Sequence, residues 1–399
     1  MRDSLRHKIR LLLEVALLCL LLVGCTQPIS VPSGGPPTPI VLRTPPPTAT
    51  PVPPAPIPSP APPAPPSVYV ALYPQSLAAL DVSTGSTRWN IPLEPIASLA
   101  LVNNVLYAGT TSGVYALNAL DGSVRWHANQ GGTIVGLEVQ NNIIYIVSQG
   151  GSIQALNASD GEVRWGESTG FELDSLTLDG DRLFASSKVG SLAAWDINGD
   201  SLWLEQASEY SYSRVVASNG MLFLAENASD VNPGPAQLLA FSRDGQPLWD
   251  AQPSGEFTLA APVVGSNGLI YTADSENIYA YDALKGAAHW QVQASNGAHV
   301  ILETVAVNGS AAILCTIASL ADGLLRAHIL AYSLGEGKPY WQVTRESSTA
   351  SSSDISCQML GKLLVVEAFG GLFARDSATG DPLWENPLGD SASPIMALG

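Results

Sequence analysis

An alanine, then a glycine, then a tryptophan four residues beyond that glycine: this order recurs eight times along the chain. The pairs are Gly85/Trp89, Gly122/Trp126, Gly161/Trp165, Gly199/Trp203, Gly245/Trp249, Gly286/Trp290, Gly337/Trp341 and Gly380/Trp384. Ala79, Ala116, Ala155, Ala280, Ala331 and Ala374 stand ten residues before their tryptophan, and Ala194 and Ala240 nine before theirs, where the turn is one residue shorter. Recurrence every 37 to 51 residues means one supersecondary unit used eight times.

The unit reads as a small antiparallel sheet. Residues 113–118 alternate like a strand, Leu120-Asp121-Gly122 is a turn, and Val124-Arg125-Trp126 resumes the extended pattern. Glycine supplies the positive φ that the turn needs, and the Asp, Asn or Ser two residues after the alanine accepts hydrogen bonds from turn amides. Two further apolar runs precede each hairpin, such as 134–139 and 143–147 around Asn141-Asn142. Each repeat is therefore four strands, and four-stranded units in a radial array are the blades of a β-propeller, which leaves only short, protected edges. The first hairpin, 76–89, is preceded by a single strand, 67–73, and so lacks its innermost one. Residues 392–398 resemble the innermost strands of other repeats, such as 213–217 and 261–264, with nothing after them. The expected fold is all-β: an eight-bladed ring closed by the C-terminal strand completing blade 1.

The Ala, Gly, Trp spacing resembles the tryptophan-docking motif of the pyrroloquinoline quinone (PQQ) type propeller repeat, found in quinoprotein alcohol dehydrogenases and in non-enzymatic relatives. The match covers about residues 68–399. It implies that Trp89, Trp126, Trp165, Trp203, Trp249, Trp290, Trp341 and Trp384 each pack against the alanine of their own repeat and the turn glycine of a neighbour, as mortar between blades. One fold hosts unrelated activities, so the motif specifies architecture far better than function.

The remainder of the chain is of two kinds. Arg2, Arg6, Lys8 and Arg10 precede an apolar run, 11–23, that is too short for a stable transmembrane helix. It ends in Leu22-Val23-Gly24-Cys25, similar to a lipobox, although Glu14 interrupts it. Residues 1–24 thus read as a lipoprotein signal peptide and Cys25 as the site of diacylglycerol attachment. From 25 to 67 the chain is mostly proline with alanine, threonine and serine, a composition that buries no core and favours polyproline II. At roughly 3.1 Å per residue this tether spans up to about 120 Å, and its Thr-Pro runs also suit glycosylation.

Net charge is −17, and removing the four basic and two acidic residues of 1–24 leaves −19. Nucleic-acid phosphates and anionic head groups are repelled, so neither is expected as a partner, and the membrane is reached only through the lipid. Many carboxylates, among them Asp81, Asp121, Asp282 and Asp376, belong to turns. Beyond Cys25, only Cys315 and Cys357 remain, on strands of consecutive blades; two buried thiols are the favoured reading, with a disulfide as the alternative.

Catalytic patterns are missing from the sequence. His127, His289, His299 and His328 never stand at metal-ligand spacing, and no nucleophile elbow, P-loop or dinucleotide fingerprint occurs. The enzymatic members that the chain resembles carry adjacent cysteines stacked on PQQ, a calcium held by carboxylate and amide groups, and an aspartate base. No Cys-Cys dipeptide exists here, and Trp195, the one tryptophan outside the repeat set, sits beside Ala194 as a packing residue. No catalytic residue, cofactor or metal is assigned. PQQ and calcium enter only under a dehydrogenase reading, for which Glu303 and Asp354 near the ring axis are the polar groups to consider.

The leading expectation is a monomeric, membrane-anchored propeller that binds a protein. In size, blade number and anchor it resembles the propeller lipoprotein family of the outer-membrane β-barrel assembly machinery, from which the long proline tether departs. A surface sensor for carbohydrate or another ligand is the further alternative. With four strands running up and down, the loops between blades and those between second and third strands share one face. Segments 205–212, 225–237, 251–257, 318–323 and 345–353 fall there, and Tyr210, Tyr212 and Phe257 are the aromatic anchors expected to meet a partner.

Overall fold

The computed structural model describes residues 66–399 apart from 73–74, 207–208, 230–231, 233, 254–257, 295–298, 320–324, 348–354, 388–391 and 399. The chain divides into Met1–Pro60 and Ala61–Gly399, and all described residues lie in the second unit. Residues 1–24, expected as a signal peptide, Cys25, and nearly all of 25–67, expected as a tether, therefore lie outside the described residues.

Blade 2 shows how the repeat folds. Ile96–Val102, Val105–Thr110, Gly113–Asn118 and Val124–Asn129 pair in that order from axis to rim, all antiparallel. The first two join through Asn103 and Asn104 at φ 51° and 61°, the left-handed pair that a two-residue hairpin turn requires. At the outer turn, shown by blade 1, Asp81 Oδ1 accepts from the amides of Ser83 (2.9 Å) and Thr84 (3.0 Å), while Gly85 adopts φ 68°. The Ser83 hydroxyl and amide hold the Asp81 carboxyl down at about 2, which accounts for that carboxylate without catalysis. In every blade the pairing register slips by one residue immediately after the repeat alanine, opposite the tryptophan. The bulge twists the outer strand and lets that ring leave its own sheet.

Eight blades close a ring. Seven are four-stranded, and the sheet of blade 5 holds five strands because its innermost position is shared by two short pieces, Ser211–Tyr212 and Val216–Ser218. Of the continuous strand expected at 213–217, only 216–217 are paired, and 213–215 form the gap between the two pieces. Blade 1 is ordered Thr87–Pro92, Ser76–Asp81, Ser67–Leu72, Ala392–Leu398, with Val68 opposite Leu398 and Val70 opposite Met396. The C-terminal strand closes the ring as the sequence predicts.

Burial is organised by interface. One apolar cluster lies between each pair of neighbouring blades; Tyr69, Leu77 and Ala79 of blade 1, for example, pack with Leu106, Ala108 and Leu117 of blade 2. Alternate residues of a strand face opposite neighbours, so each blade feeds two clusters. Small alanines leave room for the tryptophan, whose ring reaches across onto the next turn glycine. A Cβ on Gly161 would lie 2.7 Å from Trp126, one on Gly199 2.8 Å from Trp165, and one on Gly85 2.5 Å from Trp384, the last contact joining blade 8 to blade 1. Trp126 Nε1 donates to Ala158 O (3.2 Å), Trp290 Nε1 to Leu334 O (2.9 Å), and Trp384 Nε1 to Val82 O (2.9 Å).

The sequence favours two buried thiols at Cys315 and Cys357; the structure instead joins them in a disulfide. Consecutive blades bring strands Ala311–Ser319 and Ile355–Leu360 together with Cα atoms 6.3 Å apart, inside the range a disulfide spans. Blade 7 is also the tallest, with four strands of nine residues where six is common elsewhere.

Candidate functional site

Two places in the ring are candidate sites. The first is the face that carries the loops between blades. Tyr210 is half-buried there beside Gly234, whose Cβ, if present, would lie 3.7 Å from the phenol oxygen. Tyr212 corrects the sequence reading, because it is 4% exposed and packs with Phe184, Leu222 and Phe241 in the cluster between blades 4 and 5. Burial, reinforced by Glu226 and Glu205, pushes its phenol above the ordinary range, and burial raises Glu226 as well. A ring held this way is core, and is not offered to a partner. Phe257 lies outside the described residues. What sequence reading missed is Val189, 52% exposed on the loop between the second and third strands of blade 4. It sits next to this region, since Tyr212 N donates to Ser187 O at 3.3 Å.

The second place is the axis. A channel of about 510 Å³ is lined by residues from the inner positions of blades 2 to 8, among them Ser98, Glu138, Asp174, Arg214, Val305 and Gln358. Glu138 stands on Ile134–Gln140 of blade 3, and burial raises its carboxyl to about 7, against the opposing pull of Arg214. Asp174 is engaged, accepting from Lys188 N at 2.7 Å. No sequence pattern marks Glu138 or Arg214, because what they share is the axis and not a spacing. Glu303 pairs through its backbone with Thr316, and its side chain, like Asp354, lies outside what is described.

The remaining residues singled out in the sequence lie elsewhere. Trp195 is 3% exposed and donates from Nε1 to Glu167 Oε2 at 3.2 Å, within the cluster between blades 3 and 4. His289 is exposed, with Nε2 2.9 Å from Gly335 O, and His328 lies 3.2 Å from Thr344 Oγ1, its pKa lowered by burial. Among the described residues no three His, Cys, Asp or Glu side chains gather as a metal site, and no helix is long and apolar enough to cross a membrane.

Comparison with known proteins separates fold from function. Residues 74–177 and 234–398 match the family described as outer membrane protein assembly factor BamB. The chain belongs to that family. Among solved structures, BamB from Moraxella catarrhalis is 18% identical with a TM-score of 0.53, covering 74% of this chain and 86% of its own. Quinohemoprotein alcohol dehydrogenase from Comamonas testosteroni is 12% identical with a TM-score of 0.58, covering 75% and 68%. AztD from Citrobacter koseri is 10% identical with a TM-score of 0.58, covering 84% and 98%. At these identities the likeness is one of fold, shared by a named assembly factor and by a dehydrogenase. Two curated proteins, the quinolinate synthases of Chlorobaculum parvum and Chlorobaculum tepidum, are 42% identical over 62 residues, or 16% of this chain and 19% of theirs. The chain spans about a fifth of the length of these curated relatives, and so short a segment carries no activity across.

Proposed function

We propose that this protein is a non-enzymatic, protein-binding scaffold on the outer side of a bacterial membrane, held there by a lipid on Cys25 and acting in the assembly of outer-membrane proteins. The family match carries the reading. Physical features agree with it: a ring whose side chains are committed to packing between blades is rigid, and rigidity lowers the entropy lost on docking a partner. The Cys315–Cys357 disulfide suits an oxidising, extracytoplasmic compartment. A strongly acidic surface suits a basic partner face and disfavours direct contact with anionic lipid, leaving the anchor to supply membrane attachment. The dehydrogenase alternative would need a quinone platform, and the chain has no adjacent cysteines to form one.

The test uses the full chain in its own cell. Globomycin treatment or Cys25→Ser should release it from the membrane fraction, and affinity capture of the lipidated protein should bring down an outer-membrane β-barrel assembly complex. Deletion of the gene should lower the level of folded outer-membrane barrels. Capture without any assembly component, together with unchanged barrel levels, contradicts the proposal. Dye reduction that depends on PQQ and calcium would favour the dehydrogenase instead.

A further inference from the structure

The break in blade 5 is built, and it aims one side chain at the axis. The innermost strand stops at Tyr212 and resumes at Val216, whereas blades 2 and 3 run unbroken for seven residues at the same position. Outside the sheet ladder, the backbone groups of Ser213 and Val215 are met by hydroxyls of blade 4. Val215 N donates to Ser186 Oγ at 3.2 Å, Ser186 Oγ donates to Ser213 O at 2.8 Å, and Thr177 Oγ1 donates to Val215 O at 2.7 Å. Ser213 N donates in turn to Ala225 O at 2.9 Å, and Ala225 N to Ser213 Oγ at 2.9 Å. Ser186 is 1% exposed, so this network is interior structure. Its consequence is that Arg214, between the two anchored residues, is exposed within the channel.

Glu138 of blade 3 lines the same channel. Among the described residues neither Glu138 nor Arg214 has an ion-pair or side-chain hydrogen-bond partner, and the two do not close on each other. Half-buried Glu138 and exposed Arg214 present opposite charges to one cavity, and a ligand that carries both charges can meet the two together. The volume falls in the range of small-molecule sites. Leu99, Leu137, Val263 and Val305 add an apolar lining.

We propose that the axial channel binds a small aliphatic zwitterion, a free amino acid or a short peptide, whose carboxylate pairs with the Arg214 guanidinium and whose ammonium group pairs with Glu138. A simple anion meets Glu138, Asp174 and the acidic field of the whole chain, and a simple cation leaves Arg214 unmatched. Bidentate recognition of a planar carboxylate is what guanidinium does best. This goes beyond the scaffold role, because it gives the ring a small-molecule site at its axis.

Titration calorimetry on the full-length protein tests this with four probes. Leucine and dileucine carry both charges and distinguish the amino acid from the peptide; isovalerate carries only the carboxylate and isopentylamine only the ammonium group. At least one zwitterion should bind saturably, and both single-charge analogues at least about tenfold more weakly. Arg214→Gln and Glu138→Gln should each weaken zwitterion binding by about tenfold or more, with Arg214→Lys recovering part of it. Cooperative melting and an unchanged circular-dichroism spectrum of these variants establish that the ring is intact. Absence of saturable binding by either zwitterion, equal binding of isovalerate, or binding indifferent to both Gln variants would overturn the proposal.

Discussion

Between blades 2 and 3 a tryptophan is held three ways; between blades 7 and 8 it is held by one of them. Trp126 lies on Gly161, donates to Ala158 O, and meets the tilted ring of Tyr107 at 6.1 Å, with the Tyr107 hydroxyl on that same carbonyl at 3.3 Å. Trp341 lies on Gly380 in the same manner, but Ile313 stands opposite Ala331 where Tyr107 stands opposite Ala116, and Trp341 Nε1 is buried without an acceptor. The corresponding carbonyl, Ser377 O, receives Asn308 Nδ2 at 3.4 Å instead. An orphaned buried N–H costs about 1–3 kcal/mol. At this interface the chain adds what the repeat lacks elsewhere, the Cys315–Cys357 disulfide and Arg345 lying 5.0 Å over Phe373. The repeat therefore specifies an average interface, and a weak copy is reinforced by bonds from outside the motif.

Removing residues 392–399 should produce the largest effect, because blade 1 loses its innermost strand and the contact that closes the ring. Loss of cooperative melting and rapid proteolysis are expected; melting like the intact protein would break the closure argument. Trp126→Ala should cost about 3–5 kcal/mol in denaturant titration, the usual penalty for deleting a large buried aromatic. Trp341→Ala should cost about 1–2 kcal/mol less, since it also removes an unsatisfied donor. Equal losses would show that the two interfaces differ in appearance only. Replacing both Cys315 and Cys357 by alanine should cost about 2–4 kcal/mol, with hydrogen exchange rising first in blades 7 and 8 and little in blades 2 and 3.

The smallest expected effect concerns the axis. Glu138, raised from 4.5 to about 7, is protonated in the folded ring over a range in which the unfolded chain has already released that proton. Its contribution is complete below about pH 4.5 and is lost as pH rises through 7, with Arg214 and Asp174 the other charged groups described around the channel. Glu138→Gln should flatten this dependence and raise stability at pH 8 relative to the parent by about 3 kcal/mol. A parallel pH profile in the two proteins would refute the assignment.

The ring was legible from residues whose spacing repeats: alanine, glycine and tryptophan mark each blade, and the unpaired strands at the two ends announce closure. The paired aromatics at Tyr69, Tyr107, Tyr145, Phe184, Phe223 and Tyr271 were available to the same reading, since each stands opposite a repeat alanine. The disulfide was not decidable, because sequence places two cysteines on neighbouring blades without fixing their heights. The sequence does not mark Tyr212 as core, since its strand is two residues long and shows no alternation, and its burial comes from the packing of blade 4 against blade 5. Arg214 escaped notice for a related reason. Its position depends on hydroxyls of Ser186 and Thr177, which bond the neighbouring Val215 from 29 and 38 residues away, and nothing local records that.

The scaffold reading separates the two faces of the ring, and a photo-crosslinking amino acid placed on each tests it most directly. Val189 and Glu209 lie on the loop face, Leu120 and Leu284 on the outer turns of the opposite face, and all four are exposed. Introduced one at a time into the lipidated chain and irradiated in intact cells, the probes at 189 and 209 should capture a component of the outer-membrane assembly machinery, and those at 120 and 284 should not. Capture of that component from the turn face, with none from the loop face, would contradict the account.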